Sequence, residues 1–240
     1  MKALPTLIVM LCLPALGAAP AKAPSSPIVK KGQLLLSDDF TRSELGEAWK
    51  APIPAFKVED GVFKGFQARD DHGAVSKTLL AFTDIVIEFS FRFEGATSFN
   101  VAINDKNYKE AHAGHICRVA VNPKQIRLGD DRDGAMRNDI FEMRKDPQRR
   151  EEANKLLEGR SETVPVQLQN GKWYKMSIEI GGDAMRVCLD GRPIGYLKSS
   201  GIGHQTKTDF GFTVSGKEAH FDNLRVWSAT ALGQRSAPRR

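Results

Sequence analysis

From Ile85 to Phe93 the chain alternates strictly: Ile85, Ile87, Phe89, Phe91 and Phe93 fall on one side, and Val86, Glu88, Ser90 and Arg92 on the other. A period of two is the pattern of a half-buried β-strand, so this segment predicts a strand with one face in a core. Shorter apolar or alternating runs recur along the sequence, at Gln33–Leu36, Phe56–Glu59, Gly61–Phe66, Phe99–Asn104, Ile116–Asn122 and Gln125–Leu128. Further runs follow at Trp173–Ile180, Met185–Leu189, Asp209–Val214 and His220–Trp227. Asp60-Gly61 and Asp190-Gly191 stand between such runs, and an Asp-Gly pair supplies the positive φ angles of a tight hairpin. Many short strands punctuated by turn residues predict an all-β sandwich of two antiparallel sheets.

One stretch departs from that pattern. Asp139 to Gly159 is charged and ends at a glycine, and it predicts one inserted helix over about 142–158, with Asp146 as N-cap and Pro147 in the first turn. Its apolar residues Ala153, Leu156 and Leu157 make a narrow docking stripe, which suits either a lid beside a site or a surface helix covering a sheet edge.

The amino terminus has a different character. Lys2 precedes an apolar run from Leu7 to Leu16 that is too short to span a bilayer, and Ala19-Pro20-Ala21 has the form of a cleavage site. Residues 1–21 therefore read as a secretory signal peptide that takes Cys12 with it, and the expected location is secreted or periplasmic, with no membrane attachment afterwards. Residues 22–33, rich in Pro, Ser and Lys, predict a flexible lead-in; 34–228 form one domain, and 229–240 a disordered basic tail.

The chain carries 35 basic and 29 acidic residues, a net charge of +6 spread along its length. Its richest basic stretch, Arg144 to Arg150, contains no aromatic residue, which argues against nucleic acid as a partner. Cys117 and Cys188 sit in strand-like segments of an exported protein, where an inter-strand bridge and two buried thiols both fit. Trp173 and Trp227 fall in strand patterns that predict burial, and Trp49 packs the first loop; Phe66 and Tyr108 are left as stacking platforms.

Leu35-Leu36-Ser37-Asp38-Asp39-Phe40 with Trp49, then Val58-Glu59-Asp60-Gly61, Trp173-Tyr174, Asp190-Gly191 and Phe221-Asp222-Asn223-Leu224-Arg225-Val226-Trp227 together resemble the DUF1080 family, the 3-keto-disaccharide hydrolase domains. The resemblance implies a concanavalin-like jelly roll, a carbohydrate partner and a monomer. Relatives among the family sixteen glycoside hydrolases carry a Glu-x-Asp-x-x-Glu strand, which is missing here. A retaining glycosidase needs two carboxylates about 5–5.5 Å apart. A 3-keto sugar needs less, because its ketone acidifies the neighbouring C–H, so that one general base with an electrophilic partner can start elimination. A noncatalytic glycan-binding module and a structural domain of the cell envelope are the competing classes.

The candidate catalytic residues are Glu88, His112 and His115. Glu88 and Arg92 are four apart on one strand face, suited to a polar ligand or to pairing with each other. His112 and His115 belong to the polar loop Asn104–His115 with Asp105, Tyr108 and Glu110, and could hold a metal with Asp105 or Glu110. Arg92, Asn100, Asn104, Tyr108 and Arg118 are the candidate sugar-binding residues. Where the chain ends meet, the resemblance implies a calcium ion on Asp39 and Asp222, although Asp222 and Asn223 also suit bonding to backbone amides. Asp130, Asp131 and Asp133 lack the spacing of a calcium loop and read as a solvated turn.

Overall fold

The computed structural model describes residues 23–233. The segment expected to be a signal peptide, residues 1–21, and residues 234–240 of the expected tail lie outside them. Thirteen strands follow one another: β1 Val29–Asp38, β2 Lys50–Ile53, β3 Phe56–Glu59, β4 Val62–Phe66, β5 Ala74–Phe82, β6 Ile85–Asn104 and β7 His115–Asn122. The rest are β8 Gln125–Asp130, β9 Ser161–Pro165, β10 Tyr174–Gly181, β11 Ala184–Leu189, β12 Arg192–Lys198 and β13 Lys207–Ala231. No helix among the described residues is long and apolar enough to cross a membrane.

Two long strands organise the sandwich. β6 and β13 pair antiparallel from Asp209↔Asn104 to Ser228↔Ile85. The first half of β6 pairs with β10 on its other side, and the second half with β7. β13 likewise pairs with β5, then β4, then β1 along its outer side. The first layer is therefore β12-β11-β10-β6-β13-β1, and the second is β9-β8-β7-β6-β13-β5-β2, with β3 and β4 at the corner. The sheet turns over at Gly95 (φ 87°) and Gly216 (φ 86°), among register shifts between Ser215 and Ala219. Such bulges bend a strand and increase its local twist. A Cβ on Gly216 would meet the Thr97 amide nitrogen at 2.6 Å. Gly216→Ala is expected to cost about 1–3 kcal/mol in denaturant unfolding, from strain at positive φ and that clash.

Alternation on β6 follows the predicted faces: Ile85, Ile87, Phe89, Phe91 and Phe93 are all buried, as are Phe99, Val101 and Ile103 on its second half. The inner faces of both layers meet in one aromatic-rich core, where Phe89, Phe91, Phe99, Phe212 and Phe221 pack with centroid distances of 4.2–6.4 Å. Burying each such ring contributes roughly 1.5–3 kcal/mol. Both Asp-Gly pairs form the expected hairpin turns, with Asp60 at φ 55° and Gly61 at 71°, Asp190 at 49° and Gly191 at 77°.

Several expectations are corrected. Residues 24–33 are held in place: β1 starts at Val29, opposite Ala231 of β13, so β1 reaches into the expected lead-in and β13 into the expected tail. Arg186 and Glu179, paired and buried on the outer face of the first layer, hold the segment before it. Arg186 Nε donates to the Pro24 carbonyl (2.8 Å) and the Ile28 amide donates to Glu179 Oε2 (2.8 Å). A buried ion pair needs its remaining donors and acceptors satisfied, and this segment supplies them.

Cys117 and Cys188 are free and buried. Cys117 lies inside the second layer, whereas Cys188 lies between the inward Val187 and Leu189 positions and faces out of the first. Trp49 is the core tryptophan; Trp173 is 37% exposed, and Trp227 is half-buried beneath Lys31. Phe66 packs half-buried against the core.

The insertion between β8 and β9 contains two short helices, α1 Asn138–Met143 and α2 Arg150–Leu156, where one was expected. Asp146 and Pro147 do cap a helical turn, Pro147–Arg149, that leads into α2. Ile140, Met143 and Ala153 bury one another in a small separate core, while Leu156 is exposed.

Candidate functional site

The outer face of the second layer carries the polar residues that the alternation of β6 and β7 turns away from the core. Asn100, Ala102 and Asn104 of β6 stand opposite Ala120, Arg118 and His115 of β7. On their other side they meet Thr213, Gly211 and Asp209 of β13. Ala102, Ala120, Gly129 and Gly211 make a low floor between polar side chains. The insertion rises beside this floor and encloses a cleft of about 170 Å³, lined by Asn100, Arg118, Arg127, Asp131, Arg144 and Arg160 among others.

Hydrogen bonds set the orientation of the face. Asn100 Nδ2 donates to Thr213 Oγ1 (2.6 Å), and Asn104 Nδ2 to Asp209 Oδ1 (2.7 Å). Asn104 thereby presents its oxygen to His115 Nδ1 at 2.6 Å. A carboxylate accepts only, so Asn104 must donate to Asp209; His115 must then carry its proton on Nδ1, leaving Nε2 as an acceptor. Burial, helped by Arg118 and His112, holds the His115 pKa down to about 3. The folded value lies below the ordinary 6.5, so His115 contributes stability that is complete above pH 6.5 and is lost as pH falls toward 3. Between pH 6.5 and about 5 the expected loss is about 2 kcal/mol, read from urea midpoints. His115→Gln, which has no titrating group, is expected to flatten that dependence.

His112 is exposed and stacks on Phe141 of α1, with centroids 4.0 Å apart and planes 10° from parallel. Its ring centroid is 6.5 Å from that of His115, and its amide donates to the carbonyl of Met136, itself a cleft residue. Arg118 Nε donates to Asp131 Oδ2. Burial pushes the Asp131 carboxyl upward against the pull of Arg118, Arg127 and Arg144.

The structure thus brings together His112, His115, Asn100, Asn104 and Arg118. It separates Glu88 and Arg92 from them, because the first half of β6 belongs to the other layer and its outer face looks the opposite way. Those two residues do not pair with each other either. Lys31 pairs with Glu88, while Arg92 pairs with Glu94 at 3.1 Å, contacts His220 and lies over Trp173 at 5.0 Å.

Tyr108 is turned to structural use, edge-on to His204 (4.9 Å) and donating to Glu110 (3.2 Å). Asp105 does not join the histidines in a metal set. It is buried and accepts from Thr206 Oγ1 (2.7 Å), His204 Nε2 (2.9 Å) and the Asn107 amide (2.9 Å). No group of three metal-ligating side chains occurs among the described residues.

Asp39 and Asp222 lie near each other, and the Asp222 carboxyl is raised by burial and by the charges of Asp39 and Asp38. Asp39 accepts from Thr41, and Asp222 from the amide and side chain of Asn223. Asp38, one residue earlier, is the carboxylate that organises the junction of the chain ends. It accepts from Arg42 Nη1 and Nη2 (2.6 and 2.8 Å), Trp49 Nε1 (2.9 Å) and the Phe40 amide (3.0 Å).

Asp130 and Asp131, expected in a solvated turn, are buried. Asp130 accepts from Ser199 Oγ (2.5 Å) and the Gly201 amide (3.0 Å), which fastens the root of the insertion to the loop after β12. Of the cleft arginines other than Arg118, the sequence marks Arg144 only as the start of a basic stretch, and it does not mark Arg127 or Arg160. The signal for them was weak: a pair of aspartates opening a charged insertion.

A two-layer antiparallel sandwich with a polar cleft on the outer face of one layer defines an all-β, concanavalin-like protein. The chain belongs to the 3-keto-alpha-glucoside-1,2-lyase-like domain family, which it matches over residues 37–227. No curated protein sequence matches it. Among solved structures it is similar to the laminarinase from Rhodothermus marinus (11% identity, TM-score 0.58, covering 84% of this chain and 99% of that one). It is also similar to a protein of unknown function with a galectin-like fold from Bacillus subtilis (12%, 0.58, 85% and 100%). A third is the carbohydrate-binding module CBM66 from Bacillus subtilis (14%, 0.52, 75% and 96%). Identities this low speak to the shared fold.

Proposed function

We infer that the protein acts on a 3-keto-glucoside in the cleft between the second layer and the insertion, by elimination across C1 and C2 of the oxidised sugar. The observation that carries this reading is one polar outer face on which Arg118 lines the cleft while Asn104, His115 and His112 follow beside it, His112 at a separate hollow next to the cleft residue Met136. Family membership and a fold shared with a laminarinase and a carbohydrate-binding module support a carbohydrate as partner.

The chemistry assigns different work to the two histidines. A base works best with a pKa near the working pH, and His115, held near 3, is a poor one. His115 stays unprotonated and accepts a hydroxyl of the sugar through Nε2. His112, exposed beside the cleft with its amide bonded to the cleft residue Met136, is the general base that takes the C2 proton. The C2–H electrons form the C1–C2 double bond through an enolate at O3, the C1–O bond breaks, and the departing oxygen takes a proton. Arg118 is the cation placed to stabilise the enolate charge. The reading includes export by the signal segment, residues 1–21.

The test is turnover of a 3-keto-α-glucoside and its unoxidised parent by the purified protein, followed by the ultraviolet absorbance of the enone. Turnover of the keto sugar alone supports the reading. Binding of both sugars with turnover of neither supports a glycan-binding module instead.

A further inference from the structure

The cleft is strongly cationic, and the proposed elimination leaves most of that charge unused. Four arginines line it, Arg118, Arg127, Arg144 and Arg160, against two aspartates, Asp130 and Asp131. Asp130 is spent on Ser199, Gly201 and Arg160, and Asp131 is spent on Arg118. Among the described residues, Arg127 reaches only Ser161 Oγ (3.1 Å) and Arg144 only the Ala135 carbonyl (3.3 Å), so neither has a carboxylate partner. Arg118 Nη2 is buried and makes no hydrogen bond. An unpaired buried donor is costly, and two further guanidinium groups with no carboxylate partner of their own suit a planar or tetrahedral oxyanion held by paired N–H bonds.

We propose that this cleft selects an acidic sugar, a substrate bearing a carboxylate or a sulfate ester, with Arg127 and Arg144 as the residues that set the selectivity. The proposal rests on the cleft being the sugar site. The two arginines come from separate elements, the strand β8 and the segment after α1, so a ligand bound by both would bridge the sheet and the insertion.

The experiment uses methyl α-glucoside, methyl α-glucuronide and methyl α-glucoside 6-sulfate in titration calorimetry, together with turnover of their 3-keto forms. The expected result is binding of an anionic sugar at least about tenfold tighter than the neutral one, weakening with added salt. The preference should disappear in Arg127→Gln/Arg144→Gln and persist in Arg192→Gln, a surface change on β12. Comparison of the two charged ligands decides between carboxylate and sulfate. Equal binding of neutral and charged sugars, or a preference that survives in the double variant, overturns the proposal even where the 3-keto forms are turned over. An arginine-dependent preference with no turnover of any keto form sustains it and overturns the elimination chemistry instead.

Discussion

His112→Ala is expected to lower kcat on a 3-keto-glucoside by about 10²–10⁴-fold, the usual contribution of a positioned general base. The thermal midpoint should move little, because the ring is exposed and stacks on Phe141 of the short helix α1. That separation makes the variant informative: a folded protein without turnover points to chemistry rather than to collapse of the cleft. His115→Gln should behave differently. Glutamine keeps a donor for Asn104 but loses the imidazole acceptor, so KM should rise more than kcat falls. The two variants therefore distinguish a base from a group that orients the sugar. If His112→Ala retained full activity and His115→Gln abolished it, the roles assigned here would be reversed.

The largest effect on stability is expected at Asp38. Asp38→Ala removes the acceptor for two Arg42 nitrogens, the Trp49 indole and the Phe40 amide at once. Trp49 and Phe40 are core residues, so their N–H groups would be left buried and unpaired. The cost should be about 2–4 kcal/mol in urea unfolding. Burial alone would raise the Asp38 carboxyl; the hydrogen bonds from Arg42, Trp49 and Phe40 outweigh it and hold the group below the usual carboxylate range. Its contribution is therefore present above the ordinary 3.8 and is lost as pH falls through the lower folded value. At neutral pH the full loss should be seen, and it should shrink on acidification. An Asp39→Ala variant, by contrast, should lose only the exposed bonds to Thr41.

The parts of the fold that could be read in the sequence are those where burial imposes a period of two. The first half of β6 has bulky apolar residues at every inward position, so both its faces were legible. β5 was not, because its inward positions are Ala74, Ser76 and Thr78 while Leu79 points to solvent. β12 was missed for a similar reason: Pro193 and Gly195 break the alternation, and Gly195 is small because Leu128 of the facing layer would meet a Cβ at 2.9 Å. The continuity of β6 and β13 was hidden by Gly95 and Gly216, which look like turn residues and instead bend the strands.

The candidate site was legible only in part. His112, His115, Asn104 and Arg118 lie close together in the sequence, and a hairpin keeps them close in space. Glu88 and Asn100 read as residues of two separate strands whose relative facing the sequence leaves open; they share β6, and the bend at Gly95 sends them to opposite sides of the molecule. The arginines of the insertion could not be found, since a charged helical segment gives no sign of which side chains face a cleft. Burial of Asp130 and Asp131 was equally hidden, because it depends on Arg118 and on the loop at Ser199–Gly201, remote in sequence.

The measurement that bears most directly on the site is an amide chemical-shift titration of the isotopically labelled protein with a 3-keto-glucoside or its parent. The account predicts perturbations confined to residues 100–104, 112–120, 127–136, 144, 157–160 and 209–213. Shifts centred instead on Glu88–Arg92, Trp173–Ser177 and His220–Arg225 would place the sugar on the opposite face and contradict it.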